Sequence, residues 1–310
     1  MKATMKLSED LPARWKRIQE AMRQTDAEGC LLAMQVNLYY VTGRVFGGYC
    51  YLPAEGEPVF FVKRPNDFDD SRAVFIRKPE QIADCFASRG WRLPEKLLLE
   101  TDEISCSESI RLQAAFGSPA VGNATALMRQ VRMVKTPWEI DQFRLSARQH
   151  ARTYSEIPAC FRPGMTDLEL QAAIEYRMRL NGSLGIFHAF GPNMNLFMGS
   201  VLAGANAGTP SPYDFALGGG GQTPLCPIGA NGTVLEDGMA VMVDMVGNYT
   251  PYLTDMTRVF SVGRLSAAAC RAHRTSQVIQ EKIVEAARPG VSCAALYGIA
   301  LAEAGREGLA

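Results

Sequence analysis

Two aspartates, Asp244 and Asp255, occupy matching places in two neighbouring apolar runs, Met239 to Val246 and Tyr252 to Val262. Between the runs lies Gly247-Asn248-Tyr249-Thr250-Pro251, a turn signal, so the stretch from Gly238 to Gly263 reads as a β-hairpin. With Tyr249 and Thr250 as the two loop residues, 248 pairs with 251 and 244 pairs with 255. Side chains directly opposite on antiparallel strands share a face, with Cβ atoms roughly 4.5–5.5 Å apart. Two carboxylates held there repel, and burying them unpaired costs far more. A divalent cation between them removes the conflict. Hard carboxylate oxygens suit Mg, Mn or Ca, and Zn and Co also accept them. The competing reading is an edge hairpin with both aspartates in water. The apolar content of the two runs argues instead for strands covered on both faces.

The rest of the chain must position that hairpin. Its 310 residues are enough for two domains of ordinary size, and 47% hydrophobic with 21% charged residues is the composition of a soluble globular protein. Formal net charge is zero, and no lysine- or arginine-rich run offers a surface for nucleic acid. The N-terminus lacks the apolar core of a signal peptide, and no apolar run approaches the ~20 residues of a membrane span. A cytoplasmic protein with no nucleic-acid or membrane partner is expected. The eight cysteines are scattered without a CxxC pair, which predicts reduced, mostly buried thiols and no cysteine zinc site.

In the N-terminal half, helical spacing of Trp15, Ile18, Met22 and Thr25 predicts a helix from Asp10 to about Glu28, stopped by Gly29. Cys30 to Val36 reads as a buried strand and Asn37 to Gly43 as a connecting piece. Gly48 to Leu52 and Pro58 to Lys63 form a hairpin closed by residues 54–57. A helix over Pro79 to Ser88, a strand over Lys96 to Glu100 and a helix over Ser107 to Phe116, capped by Ser107, complete an α/β layer with a mixed sheet. Asp67, Asp69 and Asp70 read as the start of a helix on a solvated face rather than a metal loop.

The stretch from Val131 to Glu139 marks the domain boundary, giving domains 1–131 and 132–310. Thr136, Pro137 and Glu139 make a capping box, and the following helix is expected to bury Ile140, Phe143, Ala147, Ala151 and Tyr154. It stops at Arg162-Pro163-Gly164, and Thr166 to Glu169 opens another helix with a second capping box. The arrangement recurs at Arg288-Pro289-Gly290, 126 residues on, which suggests two similar halves. The first unit runs for about 100 residues after its glycine, the second for 20, so roughly 80 residues of the second half are expected to be missing. A half-built repeat exposes sheet edges and apolar surface and predicts an isolated chain that is aggregation-prone or covered by a partner chain.

The residues at these junctions carry a resemblance. Arg132 to Ile140, Arg162 to Leu170 and Val243-Asp244 through Asp255-Met-Thr-Arg-Val-Phe260 resemble the creatinase/aminopeptidase ("pita-bread") superfamily, peptidase family M24, most closely its Xaa-Pro peptidase-like members. Asn37 to Gly43 and Gly56 to Val59 resemble its creatinase-type N-terminal domain. The resemblance covers nearly the whole chain. It implies an α/β N-terminal domain followed by an α+β pita-bread domain, here truncated. It further implies two divalent ions (Mn, Co or Zn), held by two aspartates, a histidine and two glutamates. One aspartate would chelate one ion and the other bridge both; by position these match Asp244 and Asp255. The metals would polarise the scissile carbonyl and supply the nucleophile for cleaving a peptide's first bond, often with proline second. Homodimers are implied as well.

The chain departs from that pattern after Asp255. His150 and His188 precede the hairpin, and His273 lies in a polar helical stretch, where a solvated residue is the expectation. Glu281, Glu285, Glu303 and Glu307 read as helix-surface charges. His188, flanked by Gly-Ile-Phe and Ala-Phe, is the substrate-binding choice, against a packed-histidine alternative. Leu217 to Gln222 reads as a mobile loop near the pocket. Three functions follow. The first is an Xaa-Pro peptidase-like hydrolase, with these residues alone weakly active or inactive. The second is an inactive homologue that binds or dimerises. The third, a metal-free creatinase-like amidinohydrolase, does not need the aspartate pair.

Overall fold

The protein is described by a computed structural model over residues 6–187, 197–213 and 218–309. The chain divides into two compact units, Met1–Asp141 and Gln142–Ala310.

The first unit holds α1 (Leu7–Arg23), β1 (Gly29–Leu32), α2 (Gln35–Thr42), β2 (Gly47–Pro53), β3 (Val59–Arg64), β4 (Ala73–Phe75), α3 (Gln81–Ser88), β5 (Lys96–Leu99), α4 (Cys106–Ala115), β6 (Ala120–Asn123) and α5 (Ala124–Met133). Its mixed sheet has the order β4-β3-β2-β1-β5-β6. Central β1 is buried on both faces: Cys30 and Leu32 join one core with Trp15, Ile18 and Met22, while Leu31 joins another with Phe61, Ile82 and Phe86. A strand covered on both sides needs a continuous apolar run, which Gly29 to Leu32 supplies.

Several local expectations shift. Gln35–Thr42 is a helix, not a connecting piece. A buried carboxylate from β5's end makes it one: Glu100 accepts the Met34 amide at 2.8 Å, the Ala33 amide, and the Asn37 side chain. Burial holds Glu100 above the usual carboxylate range, against the pull of those hydrogen bonds. Glu100→Ala strands these donors and is expected to cost about 2 kcal/mol in chemical denaturation; a variant as stable as wild type removes this account of α2. Helix α4 is capped by Ser105, not Ser107. Asp67, Asp69 and Asp70 start no helix; Asp70 forms an ion pair with Arg72 at 2.8 Å. All eight cysteines are free, but only Cys30, Cys50 and Cys160 are buried.

A buried network closes the first unit. Arg14 Nε lies 2.6 Å from Asp10, its Nη1 donates to the Tyr40 carbonyl at 3.1 Å, and its guanidinium lies over the Tyr40 and Trp138 rings. The Thr136 hydroxyl also donates to Asp10, at 2.9 Å.

The second unit carries most of α6 (Pro137–Glu156), then α7 (Asp167–Leu180), β7 (Gly199–Ala203), β8 (Ala240–Gly247), β9 (Thr254–Ser261), α8 (Ala267–Ala286) and α9 (Cys293–Arg306). Both capping boxes form: Glu139 accepts the Thr136 amide and Glu169 the Thr166 amide, each at 2.8 Å. The helix–stop–helix arrangement recurs as expected, with Ser292 capping α9. Strands β7-β8-β9 form an antiparallel sheet with β8 in the middle. Val241, Val243 and Met245 face a core built with Tyr154, Leu170, Ile174 and Met178. Among the described residues of α9 none is buried, and Tyr297 and Leu301 are exposed.

The stripe expected to bury α6 is displaced. Tyr154 is buried as expected, but Ile140 and Ala151 are exposed, Phe143 and Ala147 are only half-buried, and the helix buries Ser146, His150 and Thr153 beside Tyr154.

Candidate functional site

Strand alternation decides which way the two carboxylates point. On β8, residues 241, 243 and 245 are buried against the core, so 242, 244 and 246 face the other side. The observed ladder pairs Asp244 with Thr257 and Val246 with Asp255. The expected 244–255 pairing is therefore off by two residues. An even shift keeps the face, so the aspartates become diagonal neighbours on one side of the sheet, still within side-chain reach. The shift follows from the turn, which spans 248–253 instead of two residues. Its residues are tied to other segments: the Asn248 side chain accepts from Ser183 Oγ at 2.7 Å, Tyr249 OH meets Thr153 Oγ1 at 2.7 Å, and the Leu184 amide donates to the Asn248 carbonyl at 3.0 Å.

Thr257 Oγ1 donates to Asp244 Oδ1 at 2.7 Å. Asp255 reaches the same carboxyl as a hydrogen-bond partner and as a like charge. Burial, with the charge of Asp255, pushes the Asp244 carboxyl above its ordinary range, against the hydrogen bond from Thr257. A carboxyl in that setting is relieved by a proton or by a cation. The expected cover on both faces is not seen among the described residues. Asp244 is half-buried, Asp255 is exposed, and β9 is an edge strand among the described residues.

Helix α6 supports the hairpin from the core side. Tyr154 OH accepts the Met245 amide at 3.0 Å and lies within hydrogen-bond reach of the Val243 and Met256 carbonyls. His150 Nδ1 lies 3.1 Å from Thr254 Oγ1. Burial, partly offset by the charge of Asp255, holds His150 down at about 4, against an ordinary 6.5. The fold keeps this ring neutral while the unfolded chain protonates below about 6.5. The stability it permits is whole above that value and is lost as pH falls toward about 4. In calorimetry, His150→Asn should flatten the fall of Tm across this window; an unchanged slope would refute it.

A glycine-rich segment lies nearby in sequence and is not loose over residues 218–222. Asn206 accepts the Gly220 amide at 2.8 Å and donates to the Gly229 carbonyl at 3.0 Å. The Gly219 amide donates to Thr209 and the Gly221 amide to Gly229. Gly221 has φ +64°, and a Cβ there would lie 2.2 Å from the Cys226 carbonyl oxygen, so the close approach excludes any side chain.

The histidine and glutamates after the hairpin stand apart from the aspartates, as expected of helix-surface residues. His188 lies outside the described residues. His273, Glu281, Glu285 and Glu307 are exposed, and Glu303 forms ion pairs with Lys282 and Arg306. Among the described residues no three His, Cys, Asp or Glu side chains converge on one point. A cleft of about 1070 Å³ lies in the first unit, lined by Gln35, Phe46, Lys63, Arg64 and Arg77, and holds no carboxylate. It lacks the chemistry the aspartates offer. The donors present fit a divalent cation in part: two hard carboxylates converge on one face, one of them strained toward neutrality. Sequence reasoning missed the buried polar face of α6, and the run of polar residues at 146, 149, 150 and 153 was the available signal.

Comparison with known proteins fits this geometry. Residues 141–310 match the family model described as metallopeptidase family M24, and residues 14–134 match the creatinase/prolidase N-terminal domain. A probable dipeptidase, PepE, of Mycobacterium tuberculosis is 28% identical over 209 residues, 66% of this chain and 48% of that protein. The chain thus spans about half the length of that relative. A putative dipeptidase, YkvY, of Bacillus subtilis is 24% identical over 90% of this chain and 74% of its own length. Among solved structures, the X-Pro aminopeptidase from Thermotoga maritima superposes with a TM-score of 0.73 at 20% identity, covering 93% of this chain and 78% of that one. The prolidase from Pyrococcus horikoshii gives 0.72 at 19% identity, covering 96% and 78%.

Proposed function

Because the chain belongs to metallopeptidase family M24, we propose that the protein hydrolyses the first bond of short peptides, with proline favoured in second place, and that Asp244 and Asp255 hold divalent metal. The fold is a creatinase-type N-terminal domain followed by a pita-bread catalytic domain. The observation that carries the proposal is the aspartate pair on one open face of β8 and β9, with Asp244 destabilised as an anion by burial and by its neighbour.

Bound at such a pair, divalent cations supply Lewis acidity toward a scissile carbonyl and a water acidic enough to attack at neutral pH. The chain's own residues do the positioning. Asp244 and Asp255 present oxygen donors, Thr257 fixes one carboxylate oxygen of Asp244, and the hairpin backbone is held from below by Tyr154. Two carboxylates are few ligands for a pair of metals, so residues 1–310 alone are expected to hydrolyse X-Pro dipeptides weakly or not at all. The dipeptidase names of the relatives and the prolidase names of the structural neighbours support a dipeptide substrate. We take a homodimer and a cytoplasmic location as part of the proposal.

The test uses protein purified from its native source. X-Pro dipeptides should be cleaved with Mn(II), lost on chelation and restored by adding Mn(II) back, with X-Ala dipeptides slower. Cleavage that survives chelation, or no cleavage of any dipeptide, would refute the proposal. The second reading, a binding or dimerising homologue, draws on the lack of a third converging ligand among the described residues. It predicts no metal in the native protein.

A further inference from the structure

We propose that His150 is a positioning residue that fixes Asp255 relative to Asp244 by donating its Nδ1 proton to Thr254. This rests on the reading of the two aspartates as metal ligands.

Ser146, His150, Thr153 and Tyr154 lie on one face of α6, since residues three and four apart on a helix are neighbours. All four are buried. Each spends its polar atom on the hairpin or its turn. Ser146 Oγ donates to the Gly247 carbonyl and accepts the Tyr249 amide, both at 3.4 Å. Thr153 holds Tyr249, Tyr154 holds residues 243, 245 and 256, and His150 holds Thr254. Asp244 therefore sits between two residues whose backbone Tyr154 grips. Asp255 sits between Met256, gripped by Tyr154, and Thr254, gripped by His150. Because successive side chains on a strand alternate faces, a grip from the helix side leaves both carboxylates pointing away.

The proton count identifies the tautomer. Thr254 Oγ1 has one proton and donates it to the Gly247 carbonyl at 3.2 Å. The Gly247 carbonyl can only accept, so the arrangement that satisfies both contacts puts the imidazole proton on Nδ1, donated across the 3.1 Å contact to Thr254. Nε2, buried with no partner among the described residues, is left as a bare acceptor. The opposite tautomer would bury an unpaired N–H, the costlier choice. The ring fits because residue 247 is glycine: a Cβ there would lie 2.5 Å from Nδ1. The burial that keeps His150 neutral is consistent with this role.

Asparagine places an N–H where Nδ1 stood; glutamine reaches toward Nε2 instead. The experiment uses the full 310-residue chain, uniformly labelled with ¹⁵N. Long-range ¹H–¹⁵N spectra should show the Nδ1–H tautomer for His150. Mn(II), titrated alone, should broaden signals of residues 244 and 255. His150→Asn should keep the Mn(II) affinity within about threefold. His150→Gln and Thr254→Val should each lose about tenfold or more, the range seen when groups behind metal ligands are removed. An Nε2–H tautomer, or Asn, Gln and Val variants that all bind Mn(II) like wild type, overturns the proposal while leaving the metal reading standing. An Nδ1–H tautomer with no Mn(II) effect on wild type overturns the metal reading, and with it the role toward Asp255.

Discussion

Asp244→Asn should lower Mn(II) affinity by more than about a hundredfold, because loss of a ligand should exceed the 10- to 100-fold cost of losing a group behind one. The same substitution should leave the metal-free chain at least as stable at neutral pH. The Asp244 carboxyl is raised by burial and by Asp255, so ionising it costs the folded state. The sign follows from linkage: an acid raised in the fold loses stability as pH climbs through its folded value, and asparagine escapes that loss. Asparagine Oδ1 can still accept from Thr257, which sits 2.7 Å from Asp244 Oδ1. Calorimetry with and without Mn(II) reads both effects. A variant that binds Mn(II) like wild type sinks the ligand role. One that keeps weak binding but melts lower at neutral pH sinks the account of strain.

Arg14→Ala carries the largest expected loss of stability, about 3–5 kcal/mol, because it strands a buried charge. Asp10 is only 2% exposed and would keep just the Thr136 hydroxyl. Lysine should not rescue it, since an ammonium cannot bond Asp10 while lying flat between the Tyr40 and Trp138 rings. Replacing both partners, Asp10→Leu with Arg14→Met, should cost much less than the single change, since no ion is left unpaired. The three tryptophans, Trp15, Trp91 and Trp138, all lie in the first unit, so urea unfolding followed by their fluorescence reports on the right part of the chain. If Arg14→Ala unfolds at the wild-type urea concentration, the network contributes no net stability.

What could be read beforehand was local chemistry. The capping boxes at Thr136 and Thr166 and the hairpin of β2 and β3 rest on residues a few positions apart, and each formed as expected. The choice of Asp244 and Asp255 as a same-face pair also came from local alternation. What escaped was set by distant partners. Helix α2 depends on Glu100, more than sixty residues away. The turn after β8 is lengthened because Asn248 and Tyr249 bond to Ser183 and Thr153. Helix α6 buries hydroxyls and an imidazole, so a rule that places apolar residues inside found Tyr154 and missed its buried neighbours Ser146, His150 and Thr153. Gly43, with φ +74° just past α2, was an unused sign that a helix ended there.

The role of Asn206 has a consequence for local opening. One side-chain amide joins Gly220 to Gly229, and the flanking Gly219 and Gly221 amides bond to the Thr209 and Gly229 carbonyls. The Gly229 amide also donates to the Gly218 carbonyl at 2.7 Å, so the Asn206 side chain and several backbone bonds must all break before the segment opens. Glycines usually mark a chain that samples many shapes; here they are stitched into one, and local opening costs the loss of each of those bonds.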